Sequence, residues 1–151
     1  MVGRDEGVAF SLVERLTVAQ RHAAAGLSRA LAEDGCTLDQ WRVLSALDDG
    51  DGRLMGELAS SLLIAQPTLT RVVDALTDTA AVYRRQSDRD GRRVSVHLSR
   101  QGRVRLARLS ALVRAHEQAL AADPAWHRLY DRLLPPEGEQ QAAGRGSRGP
   151  A

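Results

Sequence analysis

Apolar positions recur along the first part of the chain at Leu12, Leu16, Ala19, Ala23, Leu27 and Ala30. Steps of three and four residues put all six on one helical face, which predicts a long helix over residues 8–33. "EDGC" closes it, with Gly35 as the stop. Thr37 followed three residues later by Gln40 reads as a capping box. It opens a helix through Trp41, Val43, Leu44 and Leu47 that stops at "DDGDG". "RLMGELASSLLIAQPTLTRVVDALTD" then predicts two short helices with a tight join. The first turns Leu54, Leu58 and Leu62 inward. The second turns Leu69, Val72, Val73 and Leu76 inward and leaves Gln66, Pro67, Thr70, Arg71 and Asp74 on its other face. Pro67 fits only in a first turn, where its missing N–H is harmless, so this helix starts near Ala65.

The period then changes. Val94, Val96 and Leu98 alternate with Ser95 and His97, which is strand periodicity. Paired with "VYRRQ", this strand makes a β-hairpin whose tip lies within "YRRQSDRDGRR". Ser99 caps a further helix with Val104, Leu106, Leu109, Leu112, Val113 and Leu120 apolar. "DPAWHRLYDRLL" restarts as a shorter helix, with Asp123 as cap and Pro124 in its first position. From Pro135 onward no large apolar residue occurs, and residues 135–151 are expected to be a disordered tail.

Charge sharpens this outline. The net charge of +2 conceals a strong asymmetry. Residues 1–83 carry −5, residues 84–108 carry +7, and residues 109–151 balance. Every basic side chain is arginine. A positive field confined to one short segment suits a local contact with phosphate rather than a generally adhesive surface. Other chemistry is thinly represented. The four histidines lack metal-ligand spacing, so neither a metal nor a cofactor is expected. There is no nucleophile with a positioned base, no Gly-rich phosphate loop and no pair of carboxylates placed for catalysis, which argues against an enzyme. Cys36 is the single cysteine and reads as an ordinary residue, and Trp41 as a packing residue. No apolar run reaches membrane-spanning length, and "MVGRDEGVAF" lacks the apolar core of a secretory signal, so a cytoplasmic chain is expected.

A helix–turn–helix followed directly by a basic hairpin is a winged helix. "TLDQWRVLSAL", "GELASSL", "PTLTRVVDALT", "VYRR" and "DRDGRRVSVHLSRQG" together resemble the MarR family of bacterial transcriptional regulators, over roughly residues 8–134. The resemblance implies a mainly α fold with a small β-hairpin. A winged helix–turn–helix, residues 37–98, would be flanked by N- and C-terminal dimerisation helices, residues 8–36 and 99–134. It implies a homodimer interlocked through Leu12, Leu16, Leu109, Leu112, Leu129 and Leu133. Two long helices flanking a small domain cannot wrap it completely, which also favours burial across a dimer. The second short helix would enter the major groove of a pseudo-palindromic operator and the wing an adjacent minor groove. Family members commonly repress their own or a neighbouring gene, and many release DNA when a phenolic or other aromatic effector binds.

The residue types fit those roles. Gln66 has the amide geometry to pair with adenine, and Arg71 can fork onto guanine. Pro67 leads the first turn of that helix, and Thr68 and Thr70 can hydrogen-bond phosphate or base. In the wing, Asp90 is placed to hold Arg92 for a narrow minor groove, while Arg84, Arg85 and Arg93 would meet phosphates. Three positions depart from the family pattern: Leu54 and Ala65 where helices usually begin on a polar cap, and Ala80 where a glycine usually precedes the wing. A winged-helix module that binds protein without reading a DNA sequence is the alternative.

Overall fold

The computed structural model describes residues 11–86, 94–124 and Trp126. Helix α1 (Leu12–Ala32) begins on Ser11, whose hydroxyl accepts the Glu14 N–H at 3.3 Å while the Glu14 carboxylate accepts the Ser11 N–H at 2.7 Å. The expected start at residue 8 lies outside the described residues. Helix α2 (Leu38–Ala46) has the capping box expected of Thr37 and Gln40, with reciprocal bonds of 3.2 and 3.0 Å. After the loop come a two-residue strand β1 (Arg53–Leu54), helix α3 (Met55–Leu62) and helix α4 (Gln66–Asp78). Strands β2 (Val82–Gln86) and β3 (Val94–Leu98) form the root of the hairpin, and α5 (Arg100–Ala122) follows. Two compact units are distinguished, Met1–Val113 and Arg114–Ala151; the site lies in the first. The restart after Asp123 falls largely, and the tail from Pro135 wholly, outside the described residues.

The sheet is antiparallel in the order β1-β3-β2, one strand more than the hairpin expected. Leu54 belongs to this extra strand, opposite Ser95, and is only half buried. Val82 and Leu98 are cross-strand partners, and both are buried. They join Leu31 of α1, Val43, Leu44 and Leu47 at α2, Leu58 of α3, Leu69, Val73 and Leu76 of α4, and Leu106 and Leu109 of α5 in one core. Leu62 and Val72, expected inside, are half buried against it, as is Trp41.

Three helices end in the same way. After α1, Gly35 takes a left-handed φ of 62° and the Cys36 N–H donates back to the Leu31 carbonyl at 3.1 Å. After α3, Leu63 (φ 52°) and the Ile64 N–H bonded to the Ala59 carbonyl repeat it. After α4, Ala80 (φ 52°) and the Ala81 N–H bonded to the Leu76 carbonyl repeat it again. Only the first uses glycine, the residue that adopts this conformation without a Cβ penalty. In each case the next residue, Cys36, Ile64 or Ala81, is buried. Anchoring that apolar side chain holds the reversal where no glycine does. Arg42 adds to the second, donating to the Leu62 carbonyl at the end of α3.

Candidate nucleic-acid interface

Helix α4 is two-faced. Leu69, Val73 and Leu76 are buried, while Gln66, Pro67, Thr68, Thr70, Arg71 and Asp74 are exposed. The expected set is thus brought together on one stripe. The helix starts on Ala65, which makes no side-chain capping bond. The first-turn N–H groups of Gln66 and Thr68 thus receive no side-chain cap from Ala65 at the positive end of the helix dipole, an arrangement suited to an anion. The Thr70 hydroxyl donates to the Gln66 carbonyl at 3.0 Å. With its hydrogen so engaged, Thr70 meets a ligand as an acceptor, which suits the amino group of a base better than a phosphate oxygen. Arg71 makes no ion pair among the described residues.

The wing root stands beside α4. Along β2 the side chains alternate, so Val82 and Arg84 share one face and Tyr83 and Arg85 the other. Val82 is buried in the core, and Arg84 reaches the recognition helix: its Nη2 lies 2.7 Å from Asp74 Oδ1. On the opposite face Tyr83 stacks on His97, with ring centroids 5.3 Å apart and planes inclined by 15°. The Ser95 hydroxyl donates to the Arg85 carbonyl at 3.1 Å, so in the 2.9 Å contact between Ser95 Oγ and His97 Nε2 the imidazole is the donor. His97 lies over Gly52, where a Cβ would fall 2.2 Å from the ring. Asp90, Arg92 and Arg93, the expected wing tip, lie outside the described residues.

Two expectations change. The positive field read over residues 84–108 is divided, because Arg105 and Arg108 turn to Asp34, at 3.5 and 3.4 Å. Arg105 also donates to the Gly35 carbonyl at 3.1 Å, closing the corner between α1 and α2. Leu109, assigned to a dimer contact, has 0% of its surface exposed and belongs to the chain's own core. It sits on the inward face of α5, and an apolar stripe alone does not say which partner covers it. Leu112 is half buried against the same core, whereas Leu16 is exposed. The side chain of Leu12, and Leu129 and Leu133 entirely, lie outside the described residues.

The unusual caps are real features. At Leu54 the Glu57 carboxylate accepts the backbone N–H at 3.0 Å, supplying one half of a capping box where leucine supplies none. Cys36 is buried and donates weakly to the Thr37 carbonyl at 3.4 Å. Burial pushes its thiol pKa up, against the pull of Arg105. Among the described residues no cluster of His, Cys, Asp and Glu could hold a metal ion, and no helix is long and apolar enough to cross a membrane.

A helix–turn–helix with its second helix exposed, followed by an arginine-bearing antiparallel wing, defines a winged-helix protein. The profile of the MarR family matches residues 34–93, which include both helices of the motif and strand β2 of the wing. Over those residues the chain is similar to that family. No curated protein matched. Among solved structures, the transcriptional repressor CouR bound to a 23-mer DNA duplex is similar at 29% identity and a TM-score of 0.74, over 89% of this chain and 93% of that one. A MarR family protein of Mycobacterium tuberculosis in complex with salicylic acid is 27% identical, with a TM-score of 0.68 over 84% and 96% of the two chains. The apo form of MarR from E. coli shares the fold at 22% identity and a TM-score of 0.72, over 83% and 98%.

Proposed function

We propose that this chain is a dimeric, sequence-specific DNA-binding transcriptional regulator acting in the cytoplasm as a repressor of its own or a neighbouring operon, not an enzyme. The observation that carries this reading is the exposed stripe of α4, where Gln66, Thr68, Thr70 and Arg71 stand together beside an arginine-bearing wing. Residues 37–98 supply the DNA-reading domain, and residues 8–36 and 99–134 the dimer contacts. The exposure of Val13 (71%) and Leu16 (42%) on α1 supports the dimer, since apolar side chains in such a row call for a covering surface. Two copies related by a two-fold axis match a pseudo-palindromic operator. The salicylic acid held by the mycobacterial relative supports an aromatic acid or phenol as effector.

The test is binding to duplexes from the chain's own upstream region across a range of salt. A dimer that neutralises about 6–10 phosphates gives a log–log slope of about −5 to −9. A flat salt response, or equal affinity for every duplex, overturns sequence-specific DNA binding and leaves a protein-binding module.

A further inference from the structure

The pair formed by Asp74 and Arg84 belongs to neither role foreseen for the arginines. Asp74 is an acid on the exposed stripe of α4, one turn beyond Thr70 and three residues beyond Arg71. A bare carboxylate there would repel a phosphate backbone. Arg84 offsets that charge from the neighbouring strand at 2.7 Å, and the two residues, ten positions apart in sequence, join α4 to β2. Arg84 is directed this way by the strand itself, because it shares a face with buried Val82.

We infer that Asp74 and Arg84 form a latch that sets the angle between the recognition helix and the wing, and that Arg84 is a positioning residue rather than a phosphate contact. Major-groove and minor-groove contacts must be made at one fixed separation. The helix and the strand root that carry them are rigid pieces, and their mutual angle determines that separation. A bond between α4 and β2 in the free protein means the angle need not be found on the DNA. The inference rests on the reading of α4 as the DNA-facing helix.

The experiment has two arms. Without DNA, a thermal double-mutant cycle compares Asp74→Ala, Arg84→Ala, the double alanine variant and the exchange Asp74→Arg with Arg84→Asp. Each single change should lower the midpoint by about 1–4 °C, with less than additive loss in the double variant and partial recovery in the exchange. Additive losses overturn the latch. With a duplex that the wild type binds, Arg84→Ala should weaken binding roughly tenfold, since a dimer carries two such pairs, and leave the salt slope unchanged. Asp74→Ala should also weaken it although it removes an anion. A slope reduced by about 2 in Arg84→Ala shows the arginine on phosphate and overturns the proposal, as does tighter binding by Asp74→Ala. A wild type that binds no duplex while the thermal cycle still shows coupling sinks the functional reading and leaves the latch standing as an ion pair between α4 and β2.

Discussion

The first turn of α5 lies directly on the backbone of Ala81: a Cβ added to Gly102 would stand 2.0 Å from the Ala81 carbonyl oxygen and 2.8 Å from Leu98 Cδ1. The same carbonyl accepts the Ser99 N–H at 3.0 Å, and Ser99 Oγ both donates to the Ala80 carbonyl and accepts the Gly102 N–H. The end of α4, the wing root and the start of α5 thus meet at one point. Gly102→Ala must push backbone against backbone, and a loss of about 1–3 kcal/mol or more is expected. Urea unfolding measures it; an unchanged midpoint would show that the helix start can move aside freely.

The repeated helix ending predicts gains as well as losses. Ala80→Gly and Leu63→Gly should each stabilise by about 0.5–1 kcal/mol, the left-handed penalty removed less the extra freedom given to the unfolded chain. Leu63 has little packing to lose, being 91% exposed. Gly35→Ala should do the reverse for backbone reasons alone, because no atom lies within 4 Å of the added Cβ. Thermal midpoints of the three variants decide the matter, and destabilisation by Leu63→Gly would refute it.

Those endings also show where the sequence was legible and where it was not. Thr37 with Gln40 and Pro67 with Ala65 marked helix starts because capping and the missing proline N–H act within one turn. Gly35 marked a helix end for a similarly local reason. Leu63 and Ala80 end helices without a glycine because burial of Ile64 and Ala81 holds them, and that burial is tertiary. Strand β1 escaped notice because two residues carry no periodicity; Arg53 and Leu54 are a strand only by pairing with Val96 and Ser95. The α4 stripe was readable from period alone. The partners of Arg84 and Arg105 were not, since a charge count cannot show that Asp74 and Asp34 lie opposite them.

Leu16 and Leu109 both lie on apolar stripes, yet their substitutions should fail differently. Leu16→Asp places a charge on an exposed position of the isolated chain, so folding should persist while the dimer dissociates. Leu109→Ala opens a cavity in the core and should cost about 2–5 kcal/mol of folding stability. Sedimentation and circular dichroism on both variants separate the cases. A Leu16→Asp chain that remains dimeric would remove this face from the interface.

Cys36 should be chemically quiet. Iodoacetamide should alkylate it slowly in the native protein and rapidly in urea. Burial raises its pKa above the ordinary 9.0, so the folded state favours the neutral thiol. Stability contributed by this group is therefore present below about pH 9 and lost as pH rises through the folded-state value. Cys36→Ala should flatten that alkaline decline in a urea midpoint series; an unchanged decline would assign it to other groups.

The clamp of Arg105 on Asp34 and Gly35 makes α1 a lever with its pivot at the inner end. At 1.5 Å per residue, the 21 residues of α1 extend about 31 Å from that pivot. Tilting the lever by about 5° carries its outer end, with Val13 and Leu16, about 3 Å sideways. The gearing also runs backwards. A molecule that grips the outer end and slips by a few ångströms delivers only a few degrees of rotation at the corner where α1, α2 and α5 are tied, so small turns there demand large displacements at the tip.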